Sequence, residues 1–300
     1  MVFSVNAQAK SVQLILNWKP EPQFGGFYAA QIQDNFKKKK LDVQIIPGGA
    51  GTPTIQMIAA GKAEYGIVSG EELLVSRARG SDLIALFAVY QKNPVGIMAH
   101  AEEGFHSIQD VFRSKGLLAV QNGLPYFLYL EKKLGKPQAK IVPDLGGITH
   151  FLNNPHYSQQ VFITSEPLLA QKNQVHVSVF PVSEEGYNPY LTVVATRKAY
   201  LEKNRDQVKA FIQAIREGWK TYLETPEETN RFMHHLNPSM DLDTFARSAK
   251  AQKPLIEIPE TQKMGLGQMT KERWKTLSLQ SKQLGLTDQV FEGEDLFINF

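Results

Sequence analysis

Short apolar runs of strand length alternate along this chain with segments of helical periodicity, and they do so in two successive series. The first contains Leu14-Ile15-Leu16, the alternating run Leu41 to Pro47, Ala63 to Gly70 and the strongly apolar Leu83 to Tyr90. Helical patterns over Phe27–Gln31 and Thr54–Gly61, and a third starting at Ser69, separate them. The second series contains Gly116 to Val120, Lys140-Ile141-Val142, Gln160 to Thr164, Val175–Val179 and Leu191–Val194. Its helical patterns cover Ser107–Lys115, a segment ending at Leu134, Ile148–Asn153 and one opened by Ser165-Glu166-Pro167. Strands that alternate with helices pair in parallel, with the helices packed on the sheet faces, so the pattern predicts two α/β units. Leu83–Tyr90 stops at the polar Gln91-Lys92-Asn93-Pro94 and resumes as Val95–Ala99, as expected of a chain crossing from one unit to the other. From Lys198 onward the pattern is mostly helical. Asn204–Glu224 carries Val208, Phe211, Ile212, Ile215 and Trp219 at helical spacing, and Thr270–Leu284 is amphipathic. Leu255–Ile258 reads as a short strand-like piece.

At 300 residues and 42% hydrophobic the chain is large enough for two domains with real cores. Its 33 basic and 30 acidic residues nearly balance, which gives no reason to expect nucleic acid as a partner. The run Lys37 to Lys40 reads as a solvated helix end, where cations complement the helix dipole. With no cysteine, the chain has no thiolate metal site, disulfide or cysteine nucleophile. Ala7-Gln8-Ala9 matches the small-residue pattern of an export cleavage site. It lacks a basic segment and a long apolar stretch before it, so residues 1–10 read as a trimmed export signal or a disordered start.

The sharp catalytic and phosphate-binding motifs are absent, and the seven histidines are scattered. What remains is a set of loops at the predicted carboxyl ends of strands, the edge where open α/β sheets bind ligands. The first is Asn17-Trp18-Lys19-Pro20-Glu21-Pro22 with Gln23, stiffened by two prolines and followed by Gly25-Gly26. Trp18 there is either buried packing or a stacking platform for a ligand. Gly48-Gly49-Ala50-Gly51 is a flexible strand–helix loop or, loosely, an anion cradle. Ser69-Gly70-Glu71-Glu72 suits a capping box, and its N–H groups also suit a ligand. Gln91, Asn122-Gly123 with Tyr126, and Ser165-Glu166 complete the set, while Tyr28 and Tyr90 are assigned to packing. Such a cleft offers an aromatic face, amides, hydroxyls and carboxylates without an evident nucleophile or metal, which favours binding over turnover.

Asn17-Trp18 with the following Pro and the Gly-x-Tyr-x-Ala of residues 26–30 resembles the solute-binding proteins of ABC importers. The nearest group holds the thiamine-pyrimidine-precursor binders, related to nitrate-, sulfonate- and taurine-type binders and similar in fold to the fungal pyrimidine-precursor synthases. The likeness continues through LDVQIIPGG, residues 61–80, residues 89–99, Ser165-Glu166-Pro167 and residues 265–275. It implies a type II periplasmic-binding-protein fold, with two doubly wound lobes, two crossing strands and closure about a hinge. The crossings are expected near Val95–Ala99 and Leu191–Ala195, with lobe 1 over 11–95 plus 196–300 and lobe 2 over 96–195. The resemblance implies a periplasmic or exported monomer that takes a small heteroaromatic solute to an ABC permease, without cofactor, metal or nucleic acid. Trp18 would stack on the ligand, Glu71 or Glu166 would accept its N–H groups, and Asn17, Gln91 and Asn122 would orient it. Tyr126 and Tyr187 would close the far side. The synthases of this resemblance carry a cofactor-binding lysine, a histidine four residues later and a cysteine cluster. This chain has Val68 and Glu72 at the first two positions and no cysteine over Glu184–Ala195.

Overall fold

The described residues, 11–121 and 123–300 of a computed structural model, form ten strands. The expected export segment 1–10 and Asn122 lie outside them. The strands are β1 (Ser11–Ile15), β2 (Asp42–Ile46), β3 (Tyr65–Val68), β4 (Leu83–Tyr90), β5 (Val95–His100), β6 (Leu117–Val120), β7 (Lys140–Pro143), β8 (Tyr157–Phe162), β9 (Val177–Pro181) and β10 (Leu191–Arg197). They build two five-stranded sheets in the orders β2-β1-β3-β10-β4 and β7-β6-β8-β5-β9. In the first, β1 runs parallel to β2 and β3, and β10 enters antiparallel between β3 and β4. The second repeats this plan, with β6 parallel to β7 and β8 and β5 antiparallel to β8 and β9. The second sheet uses five consecutive strands, β5–β9, whereas the first takes back β10 from beyond them, and that return ties the lobes together.

The chain crosses between lobes at Gln91–Pro94 and again over residues 182–190. This corrects the expected boundaries. Val95 pairs with Phe162 in the second sheet, so β5 lies wholly in lobe 2. Val193 pairs with Val68 and Ala88, so Leu191–Ala195 is not a crossing strand but part of the first sheet. Periodicity shows that a run is buried on both faces; it does not show which sheet accepts it.

Two contacts set the opening loop in place. The 20-residue helix Arg205–Glu224 packs on the helix Gly25–Ile32 at a distance only glycine permits. A Cβ on Gly26 would lie 2.2 Å from the Trp219 ring, and one on Gly218 would lie 2.2 Å from the Gly26 carbonyl oxygen. Phe27 meets Trp219 edge-on at 5.7 Å between centroids.

The two crossings are held from the C-terminal helix Lys271–Gln283. Arg273 donates from Nε to the Asn188 carbonyl at 2.7 Å, from Nη2 to Asn188 Oδ1 at 3.1 Å and Pro189 O at 3.0 Å, and from Nη1 to Gln91 O. Its guanidinium sits 3.9 Å over the Tyr190 ring. Burial lowers its pKa to about 10, which leaves it charged at neutral pH. The two crossings also bond to each other, with Asn93 N donating to Asn188 Oδ1 at 2.8 Å. Leu255–Ile258 proves not to be a strand, because Leu255 and Ile256 end the helix Leu242–Ile256. The Leu255 carbonyl accepts both Gln91 N and Lys92 N, so this helix end anchors the first crossing.

Candidate functional site

The carboxyl ends of the two sheets face each other across a cleft of about 570 Å³, within the usual size of a small-molecule site. Lobe 1 contributes the loop after β1. Gly48 lets the neighbouring chain approach it, since a Cβ there would lie 2.1 Å from the Leu16 carbonyl oxygen, and Gly48 N donates to Trp18 O at 3.1 Å. Asn237 Nδ2 donates to Pro20 O at 3.1 Å and Gln252 Nε2 to Pro22 O at 2.9 Å. Gln252 in turn accepts Tyr90 Oη–H at 2.9 Å, so buried Tyr90 acts through packing and support. On this braced loop Trp18 is 40% exposed, and its Nε1 donates to Glu21 Oε1 at 3.2 Å. Gln23 Nε2 donates to the other oxygen of Glu21 at 3.1 Å. Burial raises the Glu21 pKa, with these two bonds and Lys19 opposing it.

Lobe 2 supplies the facing wall. Gln160 Oε1 accepts Tyr126 Oη–H at 2.5 Å and Gln121 N at 2.8 Å. Asp144 follows β7 and accepts Gly146 N at 3.0 Å, in a turn where Gly146 and Gly147 both take left-handed φ angles of 78° and 72°. Glu166 opens the helix Glu166–Lys172 and accepts Phe162 N at 2.9 Å. Burial in the cleft wall pushes its pKa up to about 7, and the negative charges of Asp144 and Glu21 add to the rise. Phe162 reaches over to Tyr90 of the other lobe, edge-on at 6.4 Å. At the mouth the lobes meet through Lys172 Nζ and Asp241 Oδ2 at 2.9 Å, and Lys172 holds Asp241 down at about 2.

Of the residues singled out in the sequence, Asn17, Trp18, Gln23, Ser69, Tyr126 and Glu166 line this cleft. Ser69 also forms the expected capping box, accepting Glu72 N while Glu72 accepts Ser69 N. Six others are placed elsewhere. Glu71 is buried beside the second crossing, where Tyr187 Oη donates to its Oε1 at 3.2 Å. Burial pushes the Glu71 pKa up to about 7. Tyr187 is fully buried in the second crossing and closes no ligand site. Gln91 spends its amide on Ala88 O and Gln268 O, both at 3.1 Å. Gly70 donates its N–H to Tyr190 O at 2.9 Å, and Gly49 donates to Thr52 Oγ1 at 2.9 Å. Gly123 keeps a left-handed φ of 77° and is not part of the lining either. For Glu71, Tyr187, Gln91 and Gly70 the cause is the pair of crossings, which pass the carboxyl ends of β3 and β4 and draw nearby polar groups to themselves.

Glu21, Asp144, Gln160 and Ser248 were missed. Glu21 lies inside the quoted opening loop, and Asp144 lies at a strand's carboxyl end, so the same rule would have found both. Gln160 sits within β8 and Ser248 within a helix, where no sequence signal separates them from packing. No group of three or more metal-ligating side chains occurs among the described residues. No helix there is long and apolar enough to cross a membrane.

Residues 21–229 match the family described as NMT1/THI5 like. The chain is 24% identical over 230 residues to the formylaminopyrimidine-binding protein of Halalkalibacterium halodurans, covering 73% of this chain and 68% of that protein. It is 21% identical over 250 residues to the 4-amino-5-hydroxymethyl-2-methylpyrimidine phosphate synthase of Candida albicans, covering 77% and 73%. The solved structure of the periplasmic aliphatic sulphonate-binding protein SsuA from Escherichia coli superposes with a TM-score of 0.71 at 12% identity, covering 95% of this chain and 91% of that one. The architecture is thus the type II periplasmic-binding-protein fold.

Proposed function

The chain belongs to the NMT1/THI5-like family, and from that premise we propose that it is the substrate-binding component of an ABC importer. It captures a small heteroaromatic, pyrimidine-like solute outside the cytoplasmic membrane and delivers it unaltered to a permease. The observation that carries this reading is the cleft itself. An exposed indole on a rigid loop faces amides, hydroxyls and carboxylates of the other lobe, and two crossing segments join the lobes. Trp18 stacks on one face of the ring. Glu21 and Glu166 accept its N–H groups, and Asn17, Gln23, Gln160 and Tyr126 set its orientation. The name of the Halalkalibacterium halodurans relative supports a pyrimidine as the ring.

The relatives also include a synthase, and the residues disfavour that chemistry here. Val68 lines the cleft where those enzymes carry their lysine, and it has no amine for a Schiff base. Glu72, at the histidine position, is committed to the capping box.

Thermal unfolding with 4-amino-2-methylpyrimidines, sulfonates and nitrate tests the reading. A pyrimidine at a hundred times its dissociation constant adds about 2.7 kcal/mol of stability, and mass spectrometry recovers it unchanged. Stabilisation by sulfonate or nitrate alone, or conversion of the pyrimidine, overturns the proposal.

A further inference from the structure

Three carboxylates line the cleft, Glu21 from lobe 1 and Asp144 and Glu166 from lobe 2. Among the described residues no Lys, Arg or His side chain lines it. Lys19, within the loop after β1, is exposed outside the lining and acts on Glu21 through its charge without an ion pair, and Lys172, at the end of the Glu166 helix, is paired with Asp241. Each of the three carboxylates is met only by neutral donors: an indole and an amide on Glu21, and backbone N–H groups on Asp144 and Glu166. A second observation is independent of the acids. Ser248 lines the same cleft, is 3% exposed, and its Oγ has no hydrogen-bond partner. A buried hydroxyl without a partner costs free energy that an incoming polar group relieves.

Resting on the reading of this cleft as a binding site, we propose that it selects a heteroaromatic cation: a planar ring carrying a positively charged nitrogen and no phosphate, sulfonate or carboxylate. The charge supplies the counter-ion that the three acids lack, and the Trp18 face is suited to the same ligand through cation–π attraction. A dianionic phosphate ester meets like charge on both walls and finds no cation to pair with. The fold shared with the sulphonate-binding protein SsuA therefore does not extend to the charge of the ligand.

A charge series on one ring tests this by calorimetry: 4-amino-2-methylpyrimidine bearing a 5-aminomethyl, a 5-hydroxymethyl or a 5-phosphooxymethyl group. The ammonium compound is expected to bind about tenfold or more tighter than the neutral alcohol, with the phosphate undetectable. Glu166→Gln and Asp144→Asn, each checked for an unchanged melt, both bring the ammonium-to-alcohol ratio toward one; if one variant fails to fold, the other decides. Equal or tighter binding of the alcohol, binding of the phosphate, or an unchanged ratio in every folded variant overturns the cation proposal and leaves the importer reading standing. Binding of none of the three removes the pyrimidine-like ligand and the cation proposal together.

Discussion

Replacing Arg273 by alanine removes the fastening between the two crossings without touching the cleft. The guanidinium donates to three backbone carbonyls, those of Gln91, Asn188 and Pro189, and to the Asn188 side chain, and it lies over the Tyr190 ring. Hydrogen bonds to charged groups each contribute about 1.5–3 kcal/mol, but the four share one donor and are not additive. Alanine leaves these acceptors without their donor, which costs about 1–3 kcal/mol for each buried group left unpaired. Arg273→Ala is therefore expected to lower the unfolding free energy by about 3–5 kcal/mol, and Arg273→Lys, which keeps the charge but not the fork, by roughly half of that. Urea unfolding followed by circular dichroism measures both, with an unchanged slope if the exposed surface is the same. A loss below about 1 kcal/mol for the alanine variant would refute the view that this residue holds the two crossings.

Glu71 gives a pH signature. Its folded pKa, about 7, lies above the ordinary carboxyl value of 4.5, so its contribution to stability is full below pH 4.5 and is lost as pH rises through 7. Glu71→Gln cannot ionise. Its stability relative to the parent should therefore improve between pH 4.5 and pH 8, by at most about 3 kcal/mol, and an equal difference at both pH values in urea melts rejects this. Gly218→Ala drives a methyl against the Gly26 carbonyl, a backbone atom that has little room to yield. It should cost about 2–4 kcal/mol in thermal unfolding despite the roughly 1 kcal/mol helix-propensity gain, and a neutral or stabilising result contradicts the packing described.

The sequence was most legible where one force dominates. Leu83–Tyr90, buried at every position, has no solvent-facing pattern, and it read as a core strand directly. The Asn17–Phe24 loop was legible because two prolines forbid a regular helix or central strand there, while the exposure of Trp18 was not. The partners of the inserted strands were not legible. Leu191–Arg197 and Val95–His100 look alike as sequence, and each takes its place through long-range pairing. The site was half legible for a related reason. Carboxyl ends of strands collect both cleft-lining groups and groups that meet the crossings, and Glu166 and Glu71 follow the same local rule. Only the route of the second crossing, which brings Tyr187 onto Glu71, separates the one in the cleft lining from the one beside the crossing. The tie from Leu255 O to Gln91 N and Lys92 N spans more than half the chain, and no local pattern encodes it.

The chain holds three tryptophans, and Trp219 and Trp274 are fully buried while Trp18 stands in the cleft. Fluorescence titration with the tightest-binding pyrimidine of the charge series therefore reads the inter-lobe gap almost alone. A saturable change in indole emission is expected, with the same midpoint as calorimetry. It disappears in Trp18→Phe while that variant still binds. Calorimetric binding that leaves the Trp18 emission unmoved would place the ligand somewhere else and contradict the account.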